Sequence, residues 1–184
     1  MPSSRCAMRR KSVADARRPV ASSHRGVGNV RIGVIGGDPC SEQDGLRAFE
    51  AGREIARRGH LLITGGRGGV MREACRGARE AGGTTIGILP GDDDSEANEF
   101  VDIPIVTGLG HVRNAIVVRT SEALIAIGGR YGTLSEIAFA LIHNKPVAGL
   151  GTWQLTDPAG QFVPVIPFET AAEAVDYCEQ FAKE

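Results

Sequence analysis

Three glycine-rich turns carry most of the chemistry open to this sequence: Gly36-Gly37, Gly65-Gly66-Arg67-Gly68-Gly69 and Gly128-Gly129-Arg130-Tyr131-Gly132-Thr133. A glycine turn lets backbone N–H groups come close to an anion. A helix starting behind it adds unpaired N–H groups and the positive end of its dipole. One such turn is only a tight turn, but three that close strands at one sheet edge predict a phosphate site. Arg67, Arg130 and Thr133 are side chains on these turns able to bond phosphate oxygens, the arginines bidentately. Met71 follows the second turn. Arg113 and Asn114 follow a further glycine at Gly110. A cation at a helix start opposes the dipole, so Arg113 predicts an anionic partner.

Glu136 leaves two roles open. As a carboxylate in the site it could support a cationic sugar and place water. As the far end of Thr133-x-x-Glu136 it would instead bond the Thr133 N–H in a capping box. Arg130 interrupts a glycine run. If its position requires a positive φ, a side chain there costs about 1 kcal/mol.

These turns must be held by strands and helices. Apolar runs bounded by glycine and proline predict strands at 30–35, 61–64, 84–89, 103–106, 123–127 and 146–150, with a small one at 163–166. Pro104 marks the fourth as irregular or as an edge. Helices are expected at 42–58 with Leu46, Phe49 and Ile55 inward, at 70–80 and at 111–120. Another follows Thr133, with Leu134, Ile137, Ala138, Leu141 and Ile142 at helical spacing. The last opens on the capping box Thr170-x-x-Glu173. Strands alternating with helices in this way predict an α/β fold, a Rossmann-like three-layer αβα sandwich with a mainly parallel sheet of about six or seven strands. Ligands of such sheets bind beyond the carboxyl ends of the strands.

The 184 residues suit one domain, placed at 30–184. Residues 1–29 hold seven basic residues against Asp15, a local charge of +6, and have the composition of a disordered tail. The rest carries 14 bases and 21 acids. That acidic body argues against nucleic-acid binding. No apolar run is long enough to span a membrane. Cys6, Cys40, Cys75 and Cys178 form no CxxC pair and no cluster with metal spacing, so reduced thiols in a cytoplasmic protein and no metal are expected. Cys75 and Cys178 read as core, and Cys40 lies beside the first glycine turn. Asp92 to Asp94 read as a solvated loop. His111, as an acid or base, has no visible partner. GxxxxGK[ST] is absent, and the first turn lacks a full GxGxxG, which argues against an ATPase or an NAD enzyme. The only lysines are Lys11, Lys145 and Lys183. Two lie near the termini and Lys145 opens a strand, so no pyridoxal phosphate lysine is in reach of the site.

Gly65 to Met71, then Gly110-His111-Val112-Arg113-Asn114, then Gly128 to Glu136, resemble the Lonely-guy superfamily. Its members are often labelled lysine decarboxylases, and the characterised ones are phosphoribohydrolases that release cytokinin bases from nucleoside 5′-monophosphates. The resemblance covers roughly residues 30–155. Against the signature PGGxGTxxE, Gly129, Gly132, Thr133 and Glu136 match. Gly128 replaces the proline and Arg130 the second glycine. The resemblance implies catalytic roles for Arg113 and Glu136 if the protein is an enzyme, whereas Asn114 stands where the hydrolases usually have lysine. Thr64 to Met71, Gly82 to Pro90 and Thr133 to Ala138 are more similar to a sister branch. That branch is related to DNA-processing protein A and includes the molybdenum-cofactor carrier proteins. Relatives in the superfamily are commonly dimers or tetramers, so a homo-oligomer is expected.

Three readings follow. The first is a binding or carrier protein for a phosphorylated ring-containing ligand, a nucleotide or the pterin phosphate of the molybdenum cofactor, with no cofactor required for its own action. The second is a phosphoribohydrolase splitting an N6-modified AMP into base and ribose 5-phosphate. The third, a DNA-linked role, would need the basic head to supply the contacts.

Overall fold

The computed structural model describes residues 29–181. All but the last residue of the basic segment 1–29, with Cys6 and Lys11, lies outside the described residues, as does Lys183.

The elements in chain order are β1 (Arg31–Gly36), α1 (Glu42–Arg57), β2 (Leu61–Thr64), α2 (Gly69–Glu80), β3 (Thr85–Leu89) and β4 (Ile103–Val106). A 3-10 turn (Gly110–Arg113) leads into α3 (Asn114–Thr120), followed by β5 (Ala123–Ile127), α4 (Tyr131–Ile142), β6 (Val147–Leu150), β7 (Val165–Pro167) and α5 (Ala171–Phe181). The seven strands form one sheet in the order β4-β3-β2-β1-β5-β6-β7, and every neighbouring pair is parallel. The chain builds outward from β1 in one direction, then returns to β5 and builds the other way. The switch point therefore lies between β1 and β5, where a crevice opens at the strand ends.

Helices cover both faces. α1, α2 and α5 share one apolar cluster with the sheet, and α3 and α4 share the other. β5 is buried along its whole length, as its unbroken apolar run requires. β4 is an edge strand, in keeping with Pro104. The capping box of α5 is formed: Glu173 N–H donates to Thr170 Oγ1, and Thr170 N–H donates to the Glu173 carboxylate.

Four expectations change. Leu46 is 59% exposed, and α1 buries Gly45, Ala48, Ala51, Gly52 and Ile55 instead. The reason is the closeness of α1 to α2. A Cβ on Gly52 would stand 1.9 Å from the Ala74 carbonyl oxygen, and one on Gly77 would stand 2.0 Å from that of Phe49. Backbones this close admit only small residues between them. On α4, Ala138 and Ile142 face solvent, because the buried stripe is Thr133, Glu136, Ile137 and Ala140. The helix expected over 111–120 is split, its first turn being wound as 3-10. The small last strand runs Val165–Pro167 rather than 163–166.

Gly52→Ala should lower stability by about 3 kcal/mol, or roughly 5–10 °C in Tm for a chain of this size. Leu46→Ala on the same helix should stay within about 0.5 kcal/mol. Thermal denaturation of the two variants checks both. A large loss from Leu46→Ala would mean that this face is covered.

Candidate functional site

A cleft of about 540 Å³ opens at the carboxyl ends of β1, β2 and β5. Its size lies in the range of small-molecule sites. Gly36 and Gly37 line it from the first turn, Gly65, Arg67 and Met71 from the second, and Arg130, Gly132 and Thr133 from the third. Arg113, Asn114 and Glu136 complete the set of expected residues that face it. Gly66, Gly68, Gly69, Gly128 and Gly129 do not line it. They shape the turns from behind.

The backbone explains four of these five, Gly68 being the extended N-cap of α2. Gly66, Gly69, Gly128 and Gly129 all have positive φ, up to 106° at Gly129. Arg130 has φ −121° and ψ −160°, ordinary extended backbone at the N-cap of α4. The strain expected at Arg130 is therefore absent, because the two preceding glycines take the left-handed positions.

Hydrogen bonds brace each of the three turns. Val70 N–H donates to the Gly37 carbonyl at 3.0 Å, joining the first turn to the second. The Asn98 side-chain amide donates to the carbonyls of Gly66 (3.0 Å) and Arg67 (2.9 Å). Thr152 Oγ1 donates to the Gly128 carbonyl at 2.6 Å. The segment holding Asp92 to Asp94 thus leads into a clamp on the second turn. Arg67 pairs with Glu96 at 3.3 Å, both half exposed.

Arg113 and Glu136 form the centre. Arg113 ends the 3-10 turn and caps α3, and its side chain is 8% exposed. A Cβ on Gly65 would stand 2.4 Å from Arg113 Nη1, so the bare backbone of Gly65 makes room for the guanidinium. Its Nε is buried with no hydrogen-bond partner among the described residues. Glu136 is equally buried, 3.9 Å from Arg113 Nη1. Burial pushes its carboxyl up to about 7, and the attraction of Arg113 offsets this only in part. Burial likewise lowers Arg113. The capping-box role for Glu136 does not hold. α4 begins at Tyr131 with Arg130 as its N-cap, so Thr133 already lies inside the first turn. Asn114 donates from Nδ2 to Ser135 Oγ at 3.3 Å, bracing α3 against α4.

Asp38, Gly91, Glu96 and Tyr131 also line the cleft and were not singled out from sequence. Gly91 follows a strand end, which was a usable signal. Asp38 and Glu96 reach the cleft only through the tertiary arrangement of their loops. His111 lines it as well, near Pro90 and Gly110. Cys40 is half buried and does not line the cleft, and Cys75 and Cys178 are core residues. Lys145 Nζ donates to the carbonyls of Arg119 and Ser121, at the amino end of the sheet, away from the site. Among the described residues no cluster of His, Cys, Asp or Glu could hold a metal ion. No helix there is long and apolar enough to cross a membrane.

The model of the SLOG cluster4 family matches residues 29–175. The chain belongs to this family. It is similar to the molybdenum cofactor carrier protein of Chlamydomonas reinhardtii, with 42% identity, TM-score 0.73, and coverage of 85% of this chain and 100% of that one. It is similar also to the molybdenum cofactor binding protein of Rippkaea orientalis, with 38% identity, TM-score 0.73, and coverage of 82% and 96%. A probable cytokinin riboside 5′-monophosphate phosphoribohydrolase of Oryza sativa subsp. japonica is 34% identical over 128 residues, 64% of this chain and 56% of that protein. The family chain thus spans little more than half the length of this plant relative.

The raised Glu136 carboxyl has a consequence for stability. The folded chain holds this proton more tightly than the unfolded chain does. Stability is then greatest below the ordinary carboxylate range, falls as pH rises toward 7, and stays lower above it. In the ligand-free protein Glu136→Gln should be nearly neutral at pH 4 and stabilising by on the order of 3 kcal/mol at pH 8. Tm of both proteins across that range reads the effect. A difference that does not vary with pH would show that the buried carboxylate is not penalised.

Proposed function

We propose that the cleft binds a phosphorylated small molecule bearing a planar ring, and that the protein acts as its carrier. The ligand class is the pterin phosphate of the molybdenum cofactor or a nucleotide. The observation that carries this reading is the buried Arg113 guanidinium, seated against the bare backbone of Gly65 with Nε unpartnered. A buried cation with unsatisfied donors calls for an anion with several acceptor oxygens. Phosphate on the helix side of the third turn would meet Arg113, Thr133 and the N-terminal N–H groups of α4. Similarity to molybdenum cofactor carrier and binding proteins over nearly their full length supports the pterin phosphate as the first ligand to test.

One observation favours a second reading, an N-glycosidase of nucleoside 5′-monophosphates. Glu136 is buried beside Arg113, is free of a capping role, and titrates near neutrality. In that reaction the C1′–N bond breaks and the base leaves with the bonding pair and a proton. Water adds hydroxide to C1′, and ionised Glu136 supports the cationic sugar and orients the water.

The domain assignment 30–184 with a basic tail at 1–29 and a cytoplasmic location belong to the same proposal. So does a homo-oligomer, which would cover the exposed apolar residues Phe139 and Ile142 of α4. The DNA-linked reading rests on the segment 1–29, and the described cleft lends it no support.

The deciding measurement is product analysis with AMP and N6-isopentenyl-AMP, beside a fluorescence assay for pterin co-purifying with the protein. A carrier should release no base and retain pterin. Its Arg113→Ala variant should lose affinity at least tenfold, since a charged hydrogen bond to phosphate is worth about 1.5–3 kcal/mol. Base release that rises with pH through about 7 and vanishes in Glu136→Gln would establish the hydrolase instead. Unchanged ligand affinity in Arg113→Ala would refute both.

A further inference from the structure

Phosphate chemistry accounts for one end of the ligand and leaves its ring unread. The residue best placed to read it is Tyr131, the first residue of α4, on the same turn as Gly132 and Thr133. It lines the cleft and is 82% exposed. Its ring is backed by Trp153, with centroids 6.4 Å apart and planes at 32°. Trp153 is partly buried and packs on the apolar cluster beneath α3 and α4. Thr152, the neighbour of Trp153, is hydrogen-bonded to the Gly128 carbonyl of the third turn. The aromatic pair is therefore mounted on the same backbone that shapes the anion end of the cleft. An aromatic ring so supported, open to solvent at the lip of a cleft, presents a flat surface at little entropic cost.

The geometry points to Tyr131 as the ring-recognising residue of this cleft, stacking on the planar heteroaromatic part of a ligand whose phosphate is held at Arg113. This rests on the ligand-binding reading above. It implies that the protein selects a phosphorylated heterocycle over a phosphorylated sugar.

Paired probes test it on the full chain. AMP carries ring and phosphate, and ribose 5-phosphate carries the phosphate alone. Wild type should bind AMP at least tenfold more tightly than ribose 5-phosphate, in line with the worth of base–aromatic stacking. Tyr131→Ala should abolish that preference and leave ribose 5-phosphate affinity unchanged, while Tyr131→Phe should keep the preference. Trp153 is the chain's only tryptophan, so its fluorescence should respond to AMP and not to ribose 5-phosphate. If Tyr131→Ala keeps the wild-type preference while Arg113→Ala weakens both probes, the stacking role is overturned and the cleft reading stands. If Tyr131→Ala changes the elution volume on size exclusion and weakens both probes equally, Tyr131 belongs to an interface between copies, and the stacking role is again overturned. If wild type binds neither probe, or Arg113→Ala alters neither affinity, the cleft reading falls and the stacking role with it.

Discussion

A buried arginine and a buried glutamate that do not neutralise one another set the character of this fold. Arg113 and Glu136 stand 3.9 Å apart with almost no solvent. Their attraction at that distance is about 4 kcal/mol for an effective dielectric near 20. Removing each ion from water costs several kcal/mol. Desolvation therefore wins, and the two groups respond differently. The carboxyl titrates near 7, whereas a guanidinium stays protonated whatever its burial. Below neutrality a protonated Glu136 leaves Arg113 uncompensated, and near neutrality Arg113 stands beside a half-ionised acid. Either state favours an incoming anion.

The rest of the molecule is arranged to make that burial possible. Gly65 leaves the space that Arg113 occupies. Gly128 and Gly129 turn the chain in left-handed conformations, so that α4 starts at Tyr131 and carries Glu136 one turn in, on its buried face. A hydrogen bond from Val70 joins the first turn to the second, and bonds from Asn98 and Thr152 brace the second and third against neighbouring segments. On the other face of the sheet α1 and α2 pack backbone to backbone through Gly52 and Gly77. The site thus sits on rigid elements, the arrangement that an exact fit to a small ligand demands.

The fold was legible wherever one local rule sufficed. β2 and β5 are apolar runs closed by glycine, and the structure places them at the same residues, 61–64 and 123–127. The failures came where burial depended on the approach of another element, or where a neighbouring residue set the backbone turn. Leu46 looks like a core residue until the approach of α2 at Gly77 is known. Arg130 looks strained until the positive φ values fall at Gly128 and Gly129. Thr133 and Glu136 match a capping box letter for letter, yet the helix begins three residues earlier than that box requires and moves both inside it. Asn98 gave no sequence signal, because an asparagine in a polar loop announces nothing until its amide meets two carbonyls of another turn. The site was legible through its glycines and arginines. Its electrostatics was not, because burial is a property of the assembled layers.

Between the two readings proposed above, carrier and hydrolase, Glu136 is the group that separates them. Catalysis requires groups that bind the transition state better than the ground state. A dianionic phosphate drawn toward Arg113 adds negative charge near Glu136 and pushes its carboxyl further up. A neutral carboxyl donates one hydrogen bond to the ligand and places no negative charge beneath a sugar. Such a site binds and does not cleave. A ribose held so that C1′ faces Glu136 has the opposite effect, since positive charge growing at C1′ favours the ionised carboxylate. The chemistry of the site therefore depends on which atom of the ligand lies over Glu136. Under the proposed reading, contacts to the ring at Tyr131 would set that position, while Arg113 would hold the phosphate.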